Sequence, residues 1–405
     1  MQKKYYYLWS CLLLLSACTN EVKKEKLPEI PTNPHLEAFV ETYLQQFEQL
    51  FIETNTPGAA LAIVRNDEVL HLSGYGVKSV VAKDSVDAHT VFRIGSLSKG
   101  FASVLAGILV EKGELKWTDK VQHFVPEFVL KDSAQSRRVN LIHLLSQSSG
   151  LPYHAYTNLV EAGLDVKNIA QQFRSVNLIS QEGEIYAYQN AAYSLIGPVL
   201  EKVRREPLAT IFEKELFEPL GTNYTSTNYE SLTTTPNLAL PHSGGADSWH
   251  HRKLSKKYYN AIPAGGINAS ISDMAKWLKL LLGNRPDIIS NKTLTAIFQP
   301  RIDTKNKRRY FKDWAMVDGT YYGMGWRVLT NERDTFIYHG GYVNGYRGEI
   351  LIHPREDLGI CVLANAPSKL PNRAIPAFLE TYAEKRDAIN AWEVMADSLP
   401  LSQLK

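Results

Sequence analysis

The sequence predicts an α+β fold in which one antiparallel sheet, assembled from the two ends of the chain, is flanked by helices and carries an inserted all-helical subdomain. Strand-like runs occur near both ends, and helical periodicity dominates the middle, from Leu115 to about Leu220. The 405 residues, 44% of them hydrophobic, suffice for a large core.

In chain order, a helix is expected from His35 to about Phe51. A hairpin follows, with strands Ala59–Val64 and Val69–Gly74 around the polar turn Arg65-Asn66-Asp67-Glu68. Ser96 opens a stretch whose apolar residues Ala102, Leu105, Ala106, Leu109 and Val110 have the spacing of a helix buried on most sides. The central region holds turns at Ser149-Gly150-Leu151-Pro152 and Gln181-Glu182-Gly183 and a strongly helical run from Ala191 to Val203; after a loop-rich stretch another helix covers Ser272 to Leu282. Strand signals return at Gly325–Leu329, Thr335–Tyr338, Tyr346–Ile352 and Leu358–Leu363, and a terminal helix runs from about Asn372 to Glu393.

At the N-terminus, Lys3 and Lys4 precede an apolar stretch from Tyr5 to Leu15, then Ser16, Ala17 and Cys18. The stretch is shorter than the roughly 18 residues a membrane-spanning helix needs and reads as a signal peptide. Leu15-Ser16-Ala17-Cys18 resembles a bacterial lipobox, which makes Cys18 a lipidation site and the protein an exported lipoprotein anchored to a membrane of the bacterial envelope. The resulting division is residues 1–17 as signal peptide, 18–34 as lipidated N-terminus and flexible tether, 35–396 as one body with its helical subdomain at about 115–255, and 397–405 as a tail. Cys11 leaves with the leader and Cys18 is acylated, so Cys361 is left without a disulfide partner. It lies in the apolar run Leu358–Leu363 and reads as a packing residue.

Charge narrows the function little: 21% charged residues and a formal net charge of +3 give no electrostatic case for nucleic acid. Ser96-Leu97-Ser98-Lys99 places a hydroxyl and an amine one helical turn apart, within proton-exchange range. Ser402-Gln403-Leu404-Lys405 has the same spacing but ends the chain, whereas Ser96 stands where free helix amides suit a developing oxyanion. Lys99 acts as a base only if neutral, which requires a pKa near 7–8 in place of about 10.4, or roughly 4 kcal/mol against the charged form. If it stays protonated it stabilises an anionic Tyr or Ser instead, and the sequence leaves both roles open. Four Tyr-x-Asn strings occur, at Tyr156, Tyr188, Tyr258 and Tyr342. Tyr188-Gln189-Asn190 is preferred because it sits between the Gly183 turn and the apolar helix from Ala191; its phenol is suited to relaying protons with Lys99, and the Asn190 amide to holding Lys99 and a substrate carbonyl. His339-Gly340-Gly341, expected at the end of the strand Thr335–Tyr338, offers a backbone that a ligand can approach closely. No cofactor or metal is expected: His250 and His251 are adjacent, and no His-Glu-x-x-His, Cys pair or glycine-rich phosphate loop is present.

Taken in order, Pro57-Gly58-Ala59-Ala60, Gly74-Tyr75-Gly76, Phe92-Arg93-Ile94-Gly95-Ser96-Leu97-Ser98-Lys99, Leu144-Leu145-Ser146-Gln147-Ser148-Ser149-Gly150-Leu151-Pro152, Tyr188-Gln189-Asn190, Pro263-Ala264-Gly265-Gly266, Tyr322-Gly323-Met324-Gly325-Trp326 and His339-Gly340-Gly341 resemble the serine β-lactamase and penicillin-binding-protein superfamily, class C β-lactamases and their peptidase and esterase relatives above all. The resemblance covers roughly Phe47 to Tyr382. It implies a β-lactamase/transpeptidase-like fold, acylation of Ser96, general acid/base duty shared by Lys99 and Tyr188, substrate orientation by Asn190 and His339, and an oxyanion hole from the N–H groups of Ser96 and Tyr342. Class C enzymes usually carry Lys-Thr-Gly where this chain has His-Gly-Gly, and that Lys helps to bind the drug's carboxylate.

The expected function is a serine hydrolase acting through an acyl-enzyme on amide, peptide, β-lactam or ester substrates, among them cell-wall-related D-amino-acid peptides. The alternatives are a carboxylesterase, or a penicillin-binding or sensor lipoprotein that turns over slowly or not at all. The expected partners are a small-molecule or peptide substrate and a membrane.

Overall fold

A computed structural model of the protein describes residues 33–246, 248–305 and 310–398. The expected leader at 1–17, Cys18, the expected tether to residue 32 and residues 399–405, with Ser402 and Lys405, lie outside the described residues.

The body begins two residues earlier than the sequence suggests. Helix α1 (Pro34–Glu53) is capped by Asn33, whose side chain accepts from the N–H groups of His35 and Leu36 and donates to the Ile389 carbonyl, so Asn33 and Pro34 belong to the fold and not to the tether. Phe39, Tyr43 and Phe47, four residues apart, form its buried face.

The chain's first hairpin, β1 (Gly58–Arg65) and β2 (Glu68–Gly76), joins β3 (Ile302–Asp303), β4 (Gly319–Tyr322), β5 (Arg327–Thr330), β6 (Thr335–Val343), β7 (Tyr346–His353) and β8 (Leu358–Ala364) in one eight-stranded sheet of order β2-β1-β8-β7-β6-β5-β4-β3. Every neighbouring pair is antiparallel. The two ends of the chain meet at the β1–β8 seam, where Ala59 pairs with Ala364 and Ile63 with Ile360.

Both faces of β1 are buried, and its alternation sorts them into two cores. Ala59, Leu61 and Ile63 pack with α1 and the terminal helix Leu370–Ser398, while Ala60, Ala62 and Val64 join the core of the inner helices α2 (Ser98–Glu111) and α3 (Ile271–Leu281). Phe39 meets Phe378 and Tyr382 edge-on at 5.4 and 5.2 Å, contacts worth about 0.5–1.5 kcal/mol each beyond their burial. Cys361 on β8 is fully buried and its thiol pKa is pushed far up by that burial, as a packing residue requires.

The helical middle is made of short pieces. The run expected from Ala191 to Val203 divides into Asn190–Tyr193 and Ile196–Arg204, with Pro198 in the first turn of the second, where its missing N–H costs no helix bond. Two small antiparallel pairs, Val91–Arg93 with Asn268–Ser270 and His242–Gly245 with Ser248–His251, were not anticipated; His250 and His251 are exposed on the latter. The terminal helix extends to Ser398, past the expected start of the tail.

Candidate active site

Ser96 lies just ahead of α2, in a single 3-10 turn, Gly95–Leu97, rather than at the α-helix N-terminus itself. Gly95, at φ +55°, makes the bend, and the Ser98 hydroxyl fixes it by donating to the Gly95 carbonyl at 2.7 Å and accepting from the Ile267 N–H at 3.1 Å. Helix α2 is buried at every position from Ser98 to Leu109, which carries Lys99 into the interior directly beneath Ser96.

The Lys99 amine donates to Asn190 Oδ1 at 2.8 Å and to the Ala264 carbonyl at 2.9 Å, and lies 3.4 Å from Ser96 Oγ. It has no carboxylate partner among the described residues. Burial, joined by the positive charge of Arg327, holds its pKa well below the usual ammonium range. On the other side, the Tyr188 hydroxyl donates to Ser96 Oγ at 2.8 Å, and its ring lies 4.6 Å from Lys99 Nζ. Burial keeps Tyr188 firmly a phenol, its pKa far above the usual value. Of the four Tyr-x-Asn strings, the one at Tyr188 is the one whose hydroxyl reaches Ser96; Tyr156 instead donates to the Gln172 carbonyl.

The His-Gly-Gly string runs through the middle of β6, not at a strand end: Tyr338, His339, Gly340 and Gly341 pair in register with Leu351, Ile350, Glu349 and Gly348. The strand continues because Tyr342 and Val343 still have partners in β7. The glycines let it lie against the Ser96 turn, since a Cβ on Gly341 would stand 2.2 Å from the Ile94 carbonyl oxygen and 3.2 Å from the Ser96 nitrogen, and one on Gly95 would stand 2.9 Å from the Tyr342 nitrogen. The backbones of Ser96 and Tyr342 are thereby brought side by side.

His339 corrects an expectation. It is buried beneath the cleft floor with both ring nitrogens engaged, Nδ1 with the Gly340 carbonyl at 2.8 Å and Nε2 with the Tyr322 hydroxyl at 3.0 Å. Burial first, then the charges of Arg327 and Lys99, hold its pKa well below the usual imidazole value, and it is not among the residues lining the cleft. A cleft of about 460 Å³ runs above it, with Ser96, Tyr188, Asn190, Gly340, Gly341 and Tyr342 on its walls.

Further polar residues line the same cleft: His154, Glu161, Tyr310, Arg327 and Arg347, none of which carried a motif, and Tyr258 from one of the Tyr-x-Asn strings set aside. Arg347 is paired with the buried Glu349 at 2.9 Å. Arg327 has no ion pair among the described residues; its guanidinium lies over the Tyr310 ring at 5.1 Å, and Nη1 is buried without a hydrogen-bond partner. A buried guanidinium N–H with no acceptor among the described residues can serve a ligand oxygen.

A family model described as Beta-lactamase matches residues 36–383. Among curated relatives, "Protein flp" of Staphylococcus aureus is 26% identical over 320 residues, covering 77% of this chain and 60% of that protein. "Unguisins hydrolase ungD" of Aspergillus violaceofuscus is 24% identical over 333 residues, covering 76% of this chain and 58% of that protein. The chain thus spans about three fifths of the length of these curated relatives. Among solved structures, the octameric penicillin-binding protein homologue from Pyrococcus abyssi matches with a TM-score of 0.72 at 26% identity, over 85% of this chain and 76% of that one. EstCE1, a hydrolase with promiscuous acyltransferase activity, matches with a TM-score of 0.72 over 87% of this chain and 99% of that one; at 19% identity it shares the fold alone.

Proposed function

Because this chain belongs to the beta-lactamase family, we propose that it is a serine hydrolase in which Ser96 is acylated and Lys99, as a neutral amine, is the base that activates it. The observation that carries the reading is the surroundings of Lys99 Nζ. A neutral amine has two N–H donors and one lone pair; two acceptors, Asn190 Oδ1 and the Ala264 carbonyl, stand at 2.8 and 2.9 Å, and the remaining neighbour is Ser96 Oγ at 3.4 Å. With both donors engaged, the lone pair is left for the serine proton.

In this reading Ser96 Oγ attacks the substrate carbonyl carbon while its proton passes to Lys99. The tetrahedral oxyanion is met by the amides of Ser96 and Tyr342, which the Gly95 and Gly341 contacts bring together. Tyr188, hydrogen-bonded to Ser96 Oγ, passes a proton to the leaving atom as the carbonyl–leaving-group bond breaks and takes one back from the Lys99 ammonium, so that phenol and neutral amine are both restored. Water then attacks the acyl-enzyme, gives up its proton to the same pair, and releases the acid with Ser96 restored.

The substrate is an ester, amide, peptide or lactam that carries a carboxylate or similar anion, with Arg327 as its anchor. His339 stands where related enzymes usually have the Lys of Lys-Thr-Gly, and being neutral it leaves that charge to Arg327. The printed names of relatives, a hydrolase of unguisins and a penicillin-binding protein homologue, fit peptide-like acyl donors. Lipidation at Cys18 would hold the enzyme at a membrane of the bacterial envelope, among cell-wall peptides. The test is intact-mass spectrometry of the chain from Asn33 onward with a penicillin and, separately, a p-nitrophenyl ester. An adduct formed by wild type and absent from Ser96→Ala supports the acyl-enzyme, and its lifetime separates a hydrolase from a slow penicillin-binding sensor. Equal labelling of the two proteins would remove Ser96 from the reaction.

A further inference from the structure

Tyr258, which the sequence leaves as one loop tyrosine among others, occupies a node behind the Lys99 site. Its hydroxyl accepts from Asn190 Nδ2 at 3.2 Å and faces Glu161 Oε1 at 3.4 Å, while Glu161 Oε2 is held by Lys257 Nζ at 2.8 Å. Its ring packs on the turn that bears the other Lys99 acceptor: a Cβ on Gly265, next to Ala264, would stand 3.2 Å from Tyr258 Cδ1. The residue is held in the left-handed region at φ +72°, which a tyrosine adopts only under constraint. Arg93 supplies that constraint by donating to the carbonyls of Ser255 at 2.9 Å and Lys257 at 2.6 Å and lying 4.5 Å from the Tyr259 ring.

We propose that Tyr258, backed by Glu161, is a positioning residue that sets which way round the Asn190 amide sits and, through it, where the Lys99 lone pair points. This rests on the reading of Ser96 and Lys99 above. The two ends of an amide are alike in shape and opposite in chemistry. Turned by 180°, Asn190 would offer Nδ2 to the neutral Lys99 amine and draw its lone pair away from Ser96. The Glu161 carboxylate offers acceptors alone, so the Tyr258 proton turns toward it and the phenol oxygen presents lone pairs to Asn190. Only Nδ2 can satisfy those, and Oδ1 is left facing Lys99. Burial first, and then the Glu161 charge, push the Tyr258 pKa up to about 12, so the phenol keeps the proton this arrangement needs.

The experiment is p-nitrophenyl acetate hydrolysis by wild type, Tyr258→Phe, Glu161→Ala and the double variant, with Ser96→Ala as the blank. Phe keeps the ring against Gly265 and removes the hydroxyl alone. Tyr258→Phe is expected to lower kcat at least tenfold with KM within threefold and Tm unchanged. Glu161→Ala should lower kcat by less, and the double variant should be no worse than Tyr258→Phe, because Glu161 acts only through that hydroxyl. If Tyr258→Phe lowers Tm as well, the half-exposed Glu161→Ala carries the test alone. A Tyr258→Phe kcat within twofold of wild type, or effects that multiply in the double variant, would overturn the proposal. Wild-type turnover no faster than the Ser96→Ala blank would instead overturn the serine-hydrolase reading, and this inference with it.

Discussion

The positive charge of Arg327 reaches the buried amine of Lys99 and adds to burial in holding it below the ordinary ammonium range. If neutral Lys99 is the base, kcat/KM toward an uncharged ester rises as pH climbs through the Lys99 pKa and levels off once the amine is deprotonated. Arg327→Gln removes a like charge, which makes protonation of Lys99 easier and raises its pKa. The acid limb of the pH–rate profile should therefore move to higher pH. His154 also faces the cleft with a pKa lowered by burial and by Lys99, so His154→Gln is the control and should leave the limb where it is. Against a matched pair of esters, one bearing a carboxylate, Arg327→Gln should lose at least tenfold in kcat/KM more on the anionic member.

Ser96→Ala and Lys99→Arg separate the two halves of the proposed pair. The first removes the nucleophile and should lower kcat about 10⁶-fold, as loss of a serine nucleophile does elsewhere. The second keeps a cation where a neutral amine is required, and a guanidinium does not give up its proton, so the loss should be nearly as large. Steady-state kinetics with enzyme freshly purified from contaminating esterases checks both. A Lys99→Arg variant retaining a tenth of wild-type kcat would mean that Lys99 works as a charge and not as a base.

Gly341→Ala tests the close approach of β6 to the nucleophile turn. The new Cβ would meet the Ile94 carbonyl at 2.2 Å, Leu97 Cδ1 at 2.8 Å and the Ser96 nitrogen at 3.2 Å. The backbone contact has no room to give, so the strand must back away from Ser96 and take the Tyr342 amide with it. We expect kcat to fall on the order of 10²–10³-fold, the cost of misplacing one oxyanion donor, with Tm lowered by only a few degrees. Gly340→Ala, whose Cβ would meet the tips of Tyr338 and Tyr310 at 2.9 and 3.0 Å, presses on side-chain ends and should be milder.

The pattern of legibility in the sequence follows from these contacts. That Ser96, Lys99 and Tyr188 come together was readable because their placement is tied to helix spacing and to a loop anchored by a buried helix, both of which periodicity reveals. The sheet seam was readable because β1 and β8 are buried on both faces and so are apolar throughout. The short strands Ile302–Asp303 and Gly319–Tyr322, the last two on one side of the sheet, were missed because two to four residues carry no periodicity. Arg327 and Glu161 were missed, and Tyr258 was set aside, for a different reason: each arrives from a separate segment and is defined by what it does or does not pair with in space. His339 was misplaced because a Gly pair normally ends a strand, whereas here the glycines serve a backbone approach in mid-strand.

The last prediction concerns the far side of the sheet, where Asp334, His353 and Glu356 bring ligand-type atoms within 4.8 Å of one another. The cation that bridges the two carboxylates is Arg386 of the terminal helix, which donates to Asp334 at 2.8 and 3.0 Å and to Glu356. Burial works against both carboxylates, yet their bonds, from Arg386 to Asp334 and from Tyr382, Asn390 and Arg386 to Glu356, hold both pKa values below the usual range. A depressed carboxylate contributes stability that is present above its unfolded pKa, about 4, and is lost as pH falls through the folded value. Arg386→Met takes the bridging cation from two nearly buried carboxylates, 3% and 6% exposed, and leaves Asp334 with His353 and the exposed Arg355, 3.8 Å away. The cost should be about 3–5 kcal/mol at pH 7, read from urea unfolding midpoints. It should shrink as pH drops below about 4, because protonation relieves the acids in the variant while dismantling the pairs in wild type. A difference that stayed constant from pH 7 to pH 3 would mean that Arg386 holds the terminal helix by packing alone.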